Sequence, residues 1–476
     1  MSLLGIDVGT TATKVGVFDA SGAVRAMKEA PTPVVWDNSE AAHHDAEALW
    51  ATVAGLLREI GPELRRVEAV GVSSFGEAGV LVDGAGRPTV PVLAWFDPRP
   101  KAEFWRLLEA MPAPQWRGRT GLLPDANYGL CKLLWLKKAY PEAALSAHWL
   151  SVADWIAFKL TGQRRIGLTQ ANRTLALDLR RQCWADDVLE ELGLGGVLPE
   201  LRLPGEHIGL VSGEAAAQTG LPAGVRVMET GHDQPLAAAG VGAQSAGTLV
   251  NSCGTAEVLF AVFGEAGLEQ ALRAENVAVG AYALGGKFYA MASLRASGLV
   301  WDWWVRASGH PQERLLEAAQ AAPSGCDGLR FLPHLRPLYD NPGRPQLEGG
   351  RFVGLREGHG LGHLARSVLE GLSFECWQLG RHIAQAIGSF APPIRAVGGG
   401  TRNDLWMQTK ADFLGAPLET YASPHAAAWG AAWLAGHHLG LVSEFRPRPQ
   451  KRFNPERDVG ELLESYQGAL EGAIGK

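Results

Sequence analysis

The sequence lacks the features that would place it in a membrane, on nucleic acid or around a structural metal. Five cysteines (Cys131, Cys183, Cys253, Cys326 and Cys376) are scattered along 476 residues, odd in number and never in a C-x-x-C pair. That spacing argues against a zinc knuckle or a disulfide framework and fits a reducing compartment, the cytoplasm. The apolar start is broken at Asp7, so no secretory signal is read there. The longest small-apolar run, Ala426 to Gly436, is far too short to cross a bilayer. Charge of neither sign dominates: 44 basic residues face 50 acidic ones, a net −6. Such a balance leaves no basic footprint for a nucleic acid. What is present is an ordinary globular composition, 46% hydrophobic and 20% charged, on a chain too long for one core. Two or three domains are expected.

The organising stretch runs from Leu3 to Phe18, two short apolar strands joined by Gly9-Thr10-Thr11. Gly9 permits close backbone approach and angles that other residues avoid. Thr10, Thr11 and Thr13 set hydroxyls beside the amides of the turn, and oriented amides make a concavity suited to a phosphate chain. Asp7, two residues upstream, is placed to hold magnesium through water, since Mg2+ keeps several waters and takes one or two carboxylates. Alone, the stretch reads equally well as an ordinary hairpin with a glycine turn.

A second copy alters that balance. Val250 to Phe260 again reads as strand, Gly254-Thr255 turn and strand, about half a chain further on. Two lobes that each offer a Gly-Thr turn to one cleft would grip a nucleotide triphosphate from both sides. The expected fold class is α/β, two ribonuclease-H-like (actin-like ATPase) domains with a cleft between them. The glycine-rich stretch Gly240 to Gly247 lies just before the second hairpin, which sets the expected domains at 1–243 and 244–476. That stretch is no dinucleotide fingerprint, because the third glycine and the leading strand are missing. Gly286-Lys287 likewise lacks the upstream glycine of a Walker loop.

Candidate acceptor residues fall at strand ends, where open α/β sheets bind ligands. Val67 to Val72 reads as a buried strand, and Glu77 follows its carboxyl end. Leu93 to Arg99 ends on Trp95, Asp97 and Arg99, an aromatic face with charged groups suited to a polyhydroxylated ligand. The bland alternative is a surface ion pair beside a half-buried tryptophan. Val225 to Met228 leads into Gly231-His232-Asp233-Gln234-Pro235, where Asp233 is a candidate general base and Pro235 suits the first turn of a helix. Asp233 as a plain helix cap is the alternative. His43-His44-Asp45 has no third ligand at a useful spacing and reads as a helix-start loop.

Further along, Trp301 to Trp304 reads as packing, Pro333 to Pro345 as an irregular loop, and His363 to Ile387 as a long amphipathic helix. Ile394 to Asn403 reads as a strand, the glycines 398–400 and a polar helix start. Consecutive glycines bring backbone against a flat ring or a phosphate. Ala426 to Ala435 is small enough to pack closely on a neighbour, and Arg446 to Arg452 reads as a solvated tail.

The order of these parts resembles the FGGY carbohydrate kinases, the family of xylulokinase, glycerol kinase, gluconate kinase and ribulokinase, over nearly the whole chain. Ile6 to Thr11 matches the first phosphate motif and Ser252 to Thr255 the second. Gly398-Gly399-Gly400 with Trp406, Gln408, Ala411 and Asp412 matches the adenosine motif. Gly350 to Leu355, His363-Leu364 and Ser367 to Glu370 fit the C-terminal signature.

The resemblance implies an ATP-dependent kinase acting on a hydroxyl of a small sugar or polyol, a ketopentose foremost and glycerol or a tetritol second. It implies Asp233 as the base and Glu77, Trp95, Asp97, Arg99 and Gln234 around the acceptor. ATP would lie among Gly9, Thr10, Thr11, Lys14, Gly254, Thr255, Gly398, Gly399, Gly400 and Asn403, with Mg2+ on Asp7 and Asp233. Neither nucleic acid nor membrane is expected as a partner, and a homodimer is compatible with the family. Two departures blur the substrate. Gly76-Glu77-Ala78 stands where xylulokinases carry Met-His-Gly, and Asp233-Gln234 is similar to glycerol kinase. Trp95 to Arg99 and Lys132 to Trp135 are similar to xylulokinase. With Glu77 and Asp97 besides Asp233, the expected pocket should repel an anionic aldonate, although Arg99 could offset one charge. A non-catalytic actin-like ATPase would have no use for Asp233 or the Trp95 group.

Overall fold

The computed structural model describes residues 1–144, 147–335, 349–422 and 425–474. Two sheets carry the chain and repeat one plan. In the first, Ser2–Val8, Ala12–Phe18 and Val24–Pro31 form an antiparallel meander; Val67–Ser74 and then Arg226–His232 are added in parallel on the far side of Ser2–Val8. In the second, Thr248–Cys253, Glu257–Gly264 and Lys287–Leu294 form the meander. Ala391–Val397 and then Leu418–Thr420 are added in parallel. The repeat read from two Gly-Thr turns is thus a repeat of whole sheets.

The central strands are apolar on both faces because both faces are covered. Leu4, Ile6 and Val8 enter one core cluster while Leu3 enters another, as the period of two along a strand requires. On the second of these faces lies the helix Ala426–His438, buried from Ala428 to Gly436. Its small residues are explained by backbone contact. A Cβ at Gly5 would sit 1.9 Å from the Ala428 carbonyl oxygen, and one at Gly71 would sit 2.0 Å from that of Ala431. The helix Asp233–Gly240 crosses the same helix, and a Cβ at Gly430 would meet the Leu236 carbonyl at 1.8 Å. A helix from the C-terminal half therefore lies on the first sheet and against the segment that carries Asp233. The two halves also meet at Arg117, whose Nε, Nη1 and Nη2 donate to the carbonyls of Leu272, Val277 and Ala271.

Several local expectations are corrected. His44 belongs to a short strand, Ala42–His44, rather than a loop, and only Asp45 starts the helix Ala46–Ile60, accepting from the Ala48 N–H at 2.7 Å. Lys451–Phe453 pairs with Leu418–Thr420 at the sheet edge, so the basic run near 450 is partly strand, with Arg452 3.1 Å from Glu419. Trp301 and Trp304 are buried in the helix Gly298–Ser308 as packing residues, and the long helix spans Leu361–Ile387. Of the loop Pro333 to Pro345, the part from 336 on lies outside the described residues. All five cysteines are free, and no described helix is long and apolar enough to cross a membrane.

Candidate active site

Strand register brings the first carboxylates together. Asp7 is aligned with Ser73 on the neighbouring strand, and Ser73 with Gly231 on the next. With about 4.8 Å between strands, Asp7 and the residues just past Gly231 flank the carboxyl end of Val67–Ser74. Asp233 is the first residue of the helix Asp233–Gly240; the cap position belongs to His232, so the plain-cap reading of Asp233 does not apply. His232 Nε2 lies 3.1 Å from Asp233 Oδ1. Burial, with the Arg173 charge nearby, holds the imidazole well below its usual range and keeps it neutral. Asp233 is raised to about 8, first by burial and then by the charges of Asp7 and Glu77. Its side chain keeps 27% exposure, so it is ringed by protein yet open to a ligand.

The same two carboxylates were assigned to magnesium. Asp7 Oδ1 is buried with no hydrogen-bond partner among the described residues, and burial lifts its carboxyl against the pull of Ser73 and of Lys14. Lys14 is its cross-strand neighbour in the hairpin. An orphaned hard oxygen beside a second, repelled carboxylate is what a divalent cation would relieve. Among the described residues no group of three or more His, Cys, Asp or Glu could hold a metal. A pair of carboxylates is within what magnesium takes from protein, the rest of its ligands being water.

Each Gly-Thr turn is closed by its glycine's N–H, over four residues in the first hairpin and three in the second. The Gly9 N–H donates to Ala12 O at 3.1 Å and the Gly254 N–H to Ala256 O at 3.0 Å. Thr10, Thr11 and Thr255 are exposed at their tips. Thr13 is not there: its hydroxyl is turned inward to Thr32 at 3.0 Å. Of the three glycines 398–400, two are required by packing. A Cβ at Gly398, where φ is +96°, would meet Cys253 O at 2.6 Å, and one at Gly400 would meet the Trp406 ring at 2.8 Å. Gly399 meets nothing nearer than the Arg402 guanidinium at 3.5 Å, which leaves it as the open face of the turn. Asn403 caps the helix Asp404–Leu414 through the Trp406 N–H at 3.0 Å, while its buried Nδ2 has no partner among the described residues.

The acceptor candidates divide into two groups. Glu77 is part of the cluster: its charge acts on Asp233, and its backbone sits in the left-handed region at φ +65°. Arg173 grips it through Nε at 2.7 Å and through Nη2. Gly76 has no side chain because a Cβ there would press on both Arg173 and His232, at 2.9 and 3.0 Å. Trp95 donates its indole N–H to Thr10 Oγ1 at 3.0 Å, joining the acceptor segment to the first turn. Gln234 follows Asp233 at the half-buried start of the helix. Asp97 and Arg99 instead serve each other. Asp97 is fully buried, and its two oxygens accept the N–H groups of Ala42 and Arg99 and the Arg99 guanidinium. Arg99 also contacts Asp37 at 3.1 Å and lies over Trp135 at 5.3 Å. Lys132, fully buried, donates to Trp95 O at 3.0 Å, and burial pushes its ammonium down to about 8.

Arg173 and its segment were not foreseen. The short helix Leu168–Asn172 is wholly buried. Its Gln170 donates to Ser74 Oγ and to Gly231 O, each at 3.0 Å, and its Thr169 accepts the His232 N–H at 3.1 Å. The one signal in the sequence was the run Thr169-Gln170-Ala171-Asn172-Arg173, polar side chains where no strand end had been assigned.

Two sheets of one plan, each with a Gly-Thr turn between its first two strands, are the arrangement of the actin-like ATPase fold. The chain belongs to the FGGY family of carbohydrate kinases: the model of its N-terminal domain matches residues 2–240 and that of its C-terminal domain residues 249–439. Among similar proteins are the xylulose kinase of Escherichia coli K12, 30% identical over 97% of this chain and 92% of that one, and an L-fuculokinase of Escherichia coli O157:H7, 28% identical over 92% of each. Among solved structures, the xylulose kinase of Rhodospirillum rubrum superposes with a TM-score of 0.91 over 100% of this chain and 99% of that one. The glycerol kinase of Plasmodium falciparum with ADP superposes with the same score over 99% and 98%. Their identities to this chain are 24% and 19%. Members of this family are phosphotransferases with an alcohol group as acceptor and use ATP.

Proposed function

We propose that the protein transfers the γ-phosphoryl group of ATP to a hydroxyl of a small neutral sugar or polyol, a ketopentose foremost. Glycerol or a tetritol is the second reading, favoured by Glu77 and Gln234. The observation that carries the proposal is the meeting of Asp233 with both Asp7 and Glu77 at one sheet end. One carboxylate is left open for an acceptor proton, one offers an orphaned oxygen to a cation, and one is held by an arginine.

Phosphoryl transfer requires little covalent chemistry of the protein, so positioning and charge neutralisation carry the catalysis. Asp233 accepts the proton of the attacking hydroxyl. Glu77 and Trp95 orient the acceptor, and Asp97 with Arg99 supports the Trp95 segment from behind. The turns at Gly9-Thr10-Thr11, with Lys14, and at Gly254-Thr255 take the phosphates, and Gly399 and Asn403 take the adenosine side. Magnesium, held by Asp7 and Asp233, would neutralise phosphate charge. Closure of the lobes would keep water from competing as acceptor. The cytoplasm suits five free thiols.

The carboxylates expected to repel an aldonate each carry a guanidinium, Glu77 that of Arg173 and Asp97 that of Arg99, so charge alone does not separate aldonates from ketoses. The test is an ATP-consumption screen over ketopentoses, deoxyketohexoses, tetritols, glycerol and aldonates. A ketopentose with the highest kcat/KM is the expected result. Sugar-independent ATP turnover, or a preference for gluconate, would overturn the reading.

A further inference from the structure

Beneath the Gly254-Thr255 turn lies an ion pair with no exposure at all, Lys410 with Glu257. Glu257 begins the strand after the turn, and Asn251 and Cys253 belong to the strand before it. Lys410 Nζ donates to Glu257, reaches Asn251 Oδ1 at 3.3 Å and Cys253 Sγ at 3.2 Å, and sits 4.3 Å from the centre of the Trp406 ring. Glu257 Oε1 also accepts Asn251 Nδ2 at 2.8 Å, and Oε2 accepts Ser297 Oγ at 2.7 Å. Ser297 in turn stands at the N-terminus of the helix Gly298–Ser308, and its own N–H donates to Thr255 O at 2.9 Å.

The other nucleotide turn rests on two of the same groups. Cys253 presses on Gly398 and Gly400, and Trp406 on Gly400, at distances that admit no side chain. One buried ammonium is therefore bonded to both legs of the phosphate turn and lies against the residues that floor the glycine turn. Burial opposes both charges, and each is held by the other: Lys410 stays protonated and Glu257 ionised. A buried pair of this kind is a poor device for stability alone, since well-packed apolar residues of the same volume often serve as well or better. Its bonds converge on the two turns, and there it constrains geometry.

We propose that Lys410 and Glu257 are positioning residues for the nucleotide, fixing the Gly254-Thr255 turn and the glycine turn 398–400 in one register. Neither side chain reaches the ligand. They act through the backbone they hold, and the inference rests on these turns binding ATP.

The test compares the wild-type chain with Glu257→Gln and with the double variant Lys410→Met and Glu257→Gln, which removes both charges together and leaves none stranded. Dissociation constants for ATP and for the best acceptor are measured by calorimetry, and melting is followed without ligand. For the double variant the expected result is an ATP affinity weakened about ten- to a hundredfold, with acceptor affinity and ligand-free melting near wild type; Glu257→Gln alone, which strands the Lys410 ammonium, should weaken ATP binding at least as far and melt lower. Unchanged ATP affinity in the double variant overturns the inference. So does parallel loss of acceptor and nucleotide binding with a lowered melting point, the mark of a merely structural pair. A wild-type chain that binds no ATP would remove the nucleotide-site reading and this inference with it, and is recognised before any variant is made.

Discussion

Arg173 closes on Glu77 with two guanidinium nitrogens, and both bonds fall on one oxygen, Oε1. Oε2 receives no donor among the described residues. Glu77 holds this pose in a left-handed backbone conformation, φ +65°, that a non-glycine residue avoids at a cost of about 1–3 kcal/mol. A carboxylate kept against its local preference, with one oxygen unengaged and its charge acting on Asp233, meets what the proposed acceptor pocket requires. Glu77→Gln keeps the shape and removes the charge. The expected result is a fall in kcat/KM for the acceptor of about tenfold or more, with KM for ATP nearly unchanged. Steady-state kinetics with each substrate varied decides it, and unaltered acceptor kinetics would take Glu77 out of the pocket.

Asp233→Asn removes the proposed proton acceptor and leaves the turns intact. Turnover should fall about a hundred- to ten-thousandfold, the usual worth of a positioned base, while ATP affinity by calorimetry stays near wild type. Turnover close to wild type would exclude Asp233 from the chemistry.

The same variant carries a pH signature. The Asp233 carboxyl is raised from 3.8 in the unfolded chain to about 8 in the folded one. Between those values the native state binds a proton that the unfolded state has released, so this group costs stability progressively as pH rises. Asparagine cannot ionise. Without ligands, Asp233→Asn should melt above the wild type at pH 8 and level with it near pH 4, the gap widening between. A gap that is constant with pH would show that Asp233 ionises freely.

Trp95→Phe tests the link between the acceptor segment and the phosphate turn. Phenylalanine keeps the apolar face and loses the N–H that meets Thr10 Oγ1 at 3.0 Å. A hydrogen bond of about 0.5–1.5 kcal/mol corresponds to roughly a two- to tenfold effect, expected in KM for ATP as well as for the acceptor. An effect confined to the acceptor would mean that the bond does not couple the two.

Much of this site could be read from residues in order. Asp7, the two turns and Asp233 are local patterns, each a strand end with a glycine or a helix start beside it. The ion pairs were not legible, because Arg173 lies 96 residues from Glu77 and Lys410 153 from Glu257, with no spacing to announce either. Asp97 and Arg99 misled for the opposite reason. Two residues apart at a strand end, they read as ligand groups or as an ion pair beside a tryptophan, and the structure pairs them, with Asp97 buried rather than on the surface. Thr13 was likewise assigned to the turn by proximity in sequence, although it belongs to the strand and points to Thr32.

The alanine-rich helix offers a way to move the base without touching it. Gly430 packs where the helix Asp233–Gly240 passes, and a Cβ there would lie 1.8 Å from the Leu236 carbonyl oxygen, 2.7 Å from its carbon and 3.0 Å from the Gly240 nitrogen. All three are backbone atoms, so no side chain can swing aside and the whole segment must shift. Asp233 is the first residue of that segment. A misplacement of about 1 Å can cost a hundredfold in rate even when the altered residue is far from the chemistry. Gly430→Ala should therefore lower kcat about a hundredfold and depress melting. Gly55→Ala is the control: it lies within the helix Ala46–Ile60, where a Cβ meets only an arginine tip at 3.8 Å. There alanine should stabilise by about 0.5–1 kcal/mol and leave kcat alone. Equal kcat in both variants would show that the base is not positioned by this contact.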